Sequence, residues 1–151
     1  MNRKLVRTVV NCAIALGVAL LLPGCDSGDT GPGLIPTVVN PPAKTDTFTG
    51  TVNVGSSDVH AFTASAGGEI DITLTAAGPP STIVMGVGFG SPSILTAGAC
   101  SLFSNGAINT AAGTTPQLTG QAPSGSYCVA VFDVGNQTAP INYTLTVVHP
   151  Q

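Results

Sequence analysis

From Thr47 onward apolar residues recur at every second position, and no stretch after Cys25 carries the helical period. Successive side chains of a strand point to opposite faces, so a period of two specifies half-buried β-strands. Phe48, Gly50, Val52 and Val54 alternate with Thr49, Thr51 and Asn53. Residues 59–64 form a second such stretch, with His60 and Phe62 on one face. After a turn at Gly67 and Gly68, Ile70, Ile72 and Leu74 alternate with Asp71, Thr73 and Thr75. Ile83, Met85, Val87 and Phe89 then share one face of a strand whose other face is Val84, Gly86, Gly88 and Gly90. Residues 126–132 are apolar on both faces, which predicts a central strand under cover. Ile141, Tyr143, Leu145 and Val147 alternate through the last strand. Seven or eight short strands with Gly and Pro between them predict one all-β domain, an antiparallel β-sandwich. Residues 96–123 are the least regular part and the longest break in the strand pattern, with short strands read only at Cys100–Phe103 and Gln117–Thr119. Loops held on a rigid sandwich commonly carry binding function, so this segment is the expected contact surface.

The N-terminus reads as an export signal. Arg3, Lys4 and Arg7 precede an apolar run over residues 9–22, too short for the roughly 20 residues of a membrane-spanning helix. Leu22, Pro23, Gly24 and Cys25 close the run. This tetrad resembles the bacterial lipobox, with Pro23 standing where a smaller residue is more usual. The resemblance implies cleavage before Cys25 and acylation of its thiol, hence a palmitate-type lipid anchor in a bacterial cell-envelope membrane, periplasmic or on the outer face. Two or more acyl chains hold a protein stably on a bilayer. The expected organisation is a signal peptide at 1–24, the lipidated Cys25 with a disordered Pro/Gly-rich linker at 25–46, and the sandwich at 47–149.

Processing removes three of the four basic residues. Lys44 remains against Asp26, Asp29, Asp46, Asp58, Glu69, Asp71 and Asp133. Nucleic-acid binding needs a cationic footprint, so it is excluded, and an anionic lipid surface would repel the chain. Charged residues make up 7% of the sequence against about 25% in ordinary domains, so solubility rests on Thr, Ser, Asn and Gln. Cys12 leaves with the signal and Cys25 carries lipid. Cys100 and Cys128 remain in an oxidising compartment and are expected to form a disulfide.

The segments FTGTV, DVHAFTA, GGEIDITLTA, PSGSYCVAVFDVG and NYTLTV follow in that order. Together they resemble the bacterial pre-peptidase C-terminal domain over roughly residues 46–149. That resemblance implies a jelly-roll-like sandwich serving as a non-catalytic appendage, although no peptidase precedes it here.

No catalytic, cofactor or metal site is expected. His60 and His149 are the only histidines and have no triad or metal spacing; there is no Gly-x-Ser-x-Gly elbow and no His-Glu-x-x-His. The glycines at 86, 88 and 90 lack the following helix of a phosphate loop, and read as a small face that another backbone approaches closely. Asp133 near Asn136, and Glu69 near Asp71, are too few oxygens for calcium. Tyr127 and Tyr143 read as core. Asn136 and Asn142 head glycosylation-like triplets and read as turn and strand. The function this supports is a membrane-anchored envelope module that meets an envelope protein or polysaccharide. The alternative is an accessory subunit, or a cryptic site, of a secreted hydrolase system.

Overall fold

The computed structural model describes residues 40–151. The signal, Cys25 and most of the expected linker lie outside the described residues. The chain forms eight strands: β1 (Ala43–Val52), β2 (Ser57–Ala64), β3 (Gly68–Gly78), β4 (Val84–Pro92), β5 (Cys100–Ala111), β6 (Leu118–Ala122), β7 (Gly125–Phe132) and β8 (Ile141–Pro150). They build two antiparallel four-stranded sheets, ordered β1-β8-β3-β6 and β2-β7-β4-β5. Every connection except β4–β5 crosses between the sheets. This is the strand order of the jelly roll, so the expected all-β sandwich is the fold.

The alternating stretches became strands with their apolar faces inward. Ile70, Ile72 and Leu74 from β3 meet Met85, Val87 and Phe89 from β4, while Tyr127, Val129 and Val131 from β7 meet Ile141, Tyr143, Leu145 and Val147 from β8. Burying each such side chain is worth about 1.5–3 kcal/mol, and this term holds the sheets together. β7 and β8 each sit between two partners, as apolar density on β7 requires. At its lower boundary the domain is longer than expected. Residues 43–46 already pair with 147–150, because the edge strand β1 begins on exposed polar side chains that carry no alternation.

The larger correction concerns residues 96–123, where the short strands expected at 100–103 and 117–119 are the longer strands β5 and β6. β5 is the outer strand of its sheet and exposes most of its side chains, so burial imposes no period on its sequence. Its pairing with β4 also slips between Gly88 and Gly90, and within the irregular stretch Asn105 has φ 63°. Asn tolerates this left-handed conformation better than most residues. Beyond β5, Gln117 extends its side-chain amide to the β3 backbone: Oε1 accepts from the Leu74 N–H at 2.7 Å. This amide stands in for a strand partner beside the bulge between Leu74 and Ala76.

The glycine face of β4 is covered as expected. The Phe132 ring lies over Gly86, the Leu102 side chain over Gly88 and the Ser101–Leu102 backbone over Gly90. The first residues of β5 therefore fold across the outside of the sheet, and Cys100 reaches the outward face of β7. There it is joined to Cys128, with 5.7 Å between the Cα atoms. The expected disulfide is present, and the flap it secures buries Cys128 and Ala130.

Candidate functional site

Three places gather functional groups: two polar clusters beside the β1 and β2 edges, and the opposite edge formed by β4 and β5.

In the first cluster Tyr143 on β8 donates its hydroxyl proton to Asp58 Oδ2 on β2 at 2.7 Å, and its oxygen lies 2.6 Å from His60 Nε2. With the phenol proton directed to the carboxylate, the histidine nitrogen donates to the phenol oxygen. Phe48 stacks on the His60 ring at 4.7 Å. Gly50 makes the cluster possible, since a side chain there would collide with the Asp58 carboxylate and the Tyr143 hydroxyl. Burial first, and then the hydrogen bond and charge of Asp58, push the Tyr143 hydroxyl pKa well above its ordinary value of 10.0. A tyrosine acting as a base needs the opposite shift. The phenol is held protonated and fully engaged, and no Ser or Cys nucleophile takes part, so the cluster fastens the edge strands across the sandwich. The alternation had placed Tyr143 in the core, which its buried ring fits; its hydroxyl partners come from strands far apart in sequence.

In the second cluster His149 is 1% exposed. Its Nε2 lies 3.1 Å from Asp46 Oδ2 on β1 and its Nδ1 lies 3.1 Å from the Pro150 carbonyl oxygen. Lys44 Nζ sits 2.8 Å from the other Asp46 oxygen. The Lys44 hydrogen bond, opposed by burial and reinforced by His149, holds the Asp46 carboxyl below its ordinary 3.8. A buried histidine at the end of the chain closes the β1–β8 pair. At the opposite end of these strands Asp133 accepts from the backbone N–H groups of Gly55, Gly135, Asn136 and Gln137. Those donors, Gly55 foremost, hold its carboxyl below the ordinary 3.8. Asp133 is occupied by its own turns. Among the described residues no three His, Cys, Asp or Glu side chains are grouped to hold a metal ion. Asn136 lies in the turn after β7, where its amide donates to the Val84 carbonyl oxygen, and Asn142 lies in β8.

The third place is unlike these. From Ile72 to Phe132 the sequence has no charged residue, so β4, β5, β6 and β7 are free of charge. Of the exposed large apolar side chains among the described residues, Val84, Ile94, Leu95, Leu102, Phe103 and Ile108 lie on β4, β5 or the loop between them, and only Val54 lies elsewhere. A long edge strand offers a row of backbone donors and acceptors, and proteins ordinarily guard such edges with Lys, Pro or a bulge. The bulge guards the first half of β5. Past Gly106 the run Ala-Ile-Asn-Thr-Ala is regular, uncharged and without proline. Beside it, between the sheets, Phe89, Phe103, Ala122, Pro123 and Tyr127 line an apolar slot of about 390 Å³. Tyr127 donates its hydroxyl to the Pro123 carbonyl oxygen at 2.7 Å and so presents only its ring to the slot.

No family model matches the sequence, and no curated protein matches it. Among solved structures, PliG of Aeromonas hydrophila, a periplasmic inhibitor of g-type lysozyme, is similar with a TM-score of 0.43 and 16% identity, over 70% of this chain and 85% of that one.

Proposed function

We propose that this chain is a lipid-anchored protein of the bacterial cell envelope whose jelly-roll sandwich is a non-catalytic binding module, resembling the pre-peptidase C-terminal domain and engaging a partner protein along β5. The observation that carries the reading is the uncharged, regular outer half of β5 with exposed apolar side chains around it. A peptide segment adding to that edge gains main-chain hydrogen bonds, and the slot beside Phe103 takes one of its side chains. Strand addition needs a polypeptide, which favours a protein over a polysaccharide. The lipobox-like tetrad ending in Cys25 supports the anchor. The disulfide supports an oxidising compartment. The titratable clusters support a role without catalysis, because their groups are satisfied by one another.

The test is cross-linking in intact envelopes followed by capture of the tagged chain. Ala107→Lys with Asn109→Lys places two charges on the free edge without touching the core. A specific partner is expected to disappear from the double variant while thermal unfolding stays unchanged. Capture of the same partner at the same yield would show that β5 is not the contact. Fatty-acid labelling tests the anchor separately: Cys25→Ser is expected to abolish the label and to leave the precursor unprocessed.

A further inference from the structure

The loop between β4 and β5 holds two aliphatic side chains as far into solvent as a folded chain allows. Ile94 is 99% exposed and Leu95 is 91% exposed. The loop that carries them is closed by hydrogen bonds. Ser93 N–H donates to the Ala99 carbonyl oxygen at 2.9 Å, Ala99 N–H donates to the Thr96 carbonyl oxygen at 3.1 Å, and Ser93 Oγ accepts from the N–H groups of Leu95 and Thr96 at 3.2 Å. The next residue, Cys100, is covalently tied to β7. The tip is therefore presented by a fastened loop.

We propose that Ile94 and Leu95 are a bilayer contact, a tip that enters the acyl region of the membrane that carries the chain. Isolated exposed apolar residues are ordinary, but two adjacent ones standing free of every neighbour mark an interaction site. A protruding tip suits a fluid apolar phase that closes around it, whereas a protein would need a pocket already shaped for it. Charge agrees with this choice. The described acids lie on β1, β2 and β3 and just after β7, and none occurs on β4, β5 or their loop. Asp58 on β2 borders a cleft with Thr96, Ala97, Gly98 and Ala99 and accepts from the Tyr143 hydroxyl, so the tip approaches headgroups with no carboxylate on its own loop. Reach agrees as well. The 15 residues from Cys25 to Asn40 span up to about 45 Å if extended, and they enter the domain at Ala43. The register Gly90↔Cys128, Ala64↔Gly125 and Ala43↔Pro150 places Pro92, where the loop begins, toward that same end. The loop then runs back over the sheet, where Thr96, Ala97, Gly98 and Ala99 border a cleft with Ser57, Asp58 and Val59, a distance still within the reach of the extended segment. The membrane in question is the one the anchor reading supplies, and the inference rests on that reading for its source of lipid.

The sequence contains no tryptophan, so a single introduced indole reports alone. The experiment uses the full chain purified from membranes, with Leu95→Trp as reporter and Val54→Trp as the control for another exposed apolar position. Both are reconstituted into phosphatidylcholine vesicles. The emission of the Leu95→Trp protein is expected to shift to the blue and to be quenched by brominated acyl chains, with that of the Val54→Trp protein unmoved. Replacing part of the lipid by an anionic one is expected to reduce the shift. Acylation is read on the same sample by fatty-acid labelling. A labelled chain with no shift overturns the tip contact and leaves the anchor standing. An unlabelled chain that still shifts overturns the anchor and leaves the tip contact standing. A shift that appears with envelope proteins and without lipid overturns the bilayer in favour of a protein pocket.

Discussion

Replacing Gly90 by Ala places a methyl group where the flap of β5 already lies. A Cβ at this position would overlap the Ser101 carbonyl oxygen and lie 2.6 Å from its carbonyl carbon and 2.8 Å from Leu102 Cα. All three atoms are backbone, so no rotamer change relieves the crowding. Restoring ordinary contact requires the strand to retreat by about 1 Å, yet its pairing with Gly90, Ser91 and Pro92 and the bond from Cys100 to Cys128 hold it in place. Overpacking of this kind costs about 1–3 kcal/mol. Gly120 is the matched control. It lies in β6, a Cβ there meets nothing within 4 Å, and its φ is not in the left-handed range. Gly120→Ala should therefore be neutral or gain up to about 1 kcal/mol by restricting the unfolded chain. Gly86→Ala and Gly88→Ala should fall between the two, because the Phe132 ring and the Leu102 side chain that cover them can turn aside. Urea unfolding of the four variants gives the order directly, since a change in midpoint at constant slope is a change in stability. If Gly90→Ala lies within about 0.5 kcal/mol of Gly120→Ala, a spread typical of surface substitutions, the flap does not rest on that glycine.

Joint replacement of Cys100 and Cys128 by Ala, which frees a separation of 28 residues, is expected to lower stability by about 3.5 kcal/mol through the entropy of the unfolded chain; equal urea midpoints for the oxidised protein and the double variant would refute it. Tyr143→Phe keeps the buried ring but strips Asp58 and His60 of their shared hydroxyl, and because water reaches part of the Asp58 carboxylate the expected loss is about 1 kcal/mol, again read in urea. In the native protein Tyr143 should also show no phenolate absorbance as pH is raised through 10.0, because its hydroxyl pKa is raised. Asp46 has a depressed carboxyl pKa, so its contribution is present above the unfolded value of 3.8 and is lost as pH falls through the lower folded value. Asp46→Asn should accordingly flatten the acid limb of the stability profile and leave Asp133 to supply what remains.

The parts legible in the sequence were those where burial imposes a period. β3, β7 and β8 are half or wholly buried, and their alternation named the residues now found between the sheets. Beyond the short strand read at Cys100–Phe103, β5 escaped because an outer strand buries little, and its bulge around Asn105 breaks what alternation there was. The glycine face of β4 was readable as a close approach, since three glycines on one side of a strand leave room for a neighbour; that the visitors are the Phe132 ring and the residues of β5 just after Cys100 depends on pairing between distant strands. The polar clusters were illegible for another reason. Asp58 and Tyr143, like Asp46 and His149, meet only through strand pairing and the stacking of the sheets, and local pattern holds no record of contacts so distant along the chain.

The pairing of Lys44 with Asp46 has a consequence for resistance to proteolysis. Within residues 40–151 Lys44 is the only basic residue other than histidine, so a protease that cuts after lysine or arginine finds a single target. That target lies in β1, hydrogen-bonded along β8, and must fray before it can enter an active site. Cleavage there would leave the sandwich nearly whole but sever it from everything upstream. One lysine thus serves as the domain's only trypsin-sensitive release point, shielded as long as the first residues of β1 stay paired.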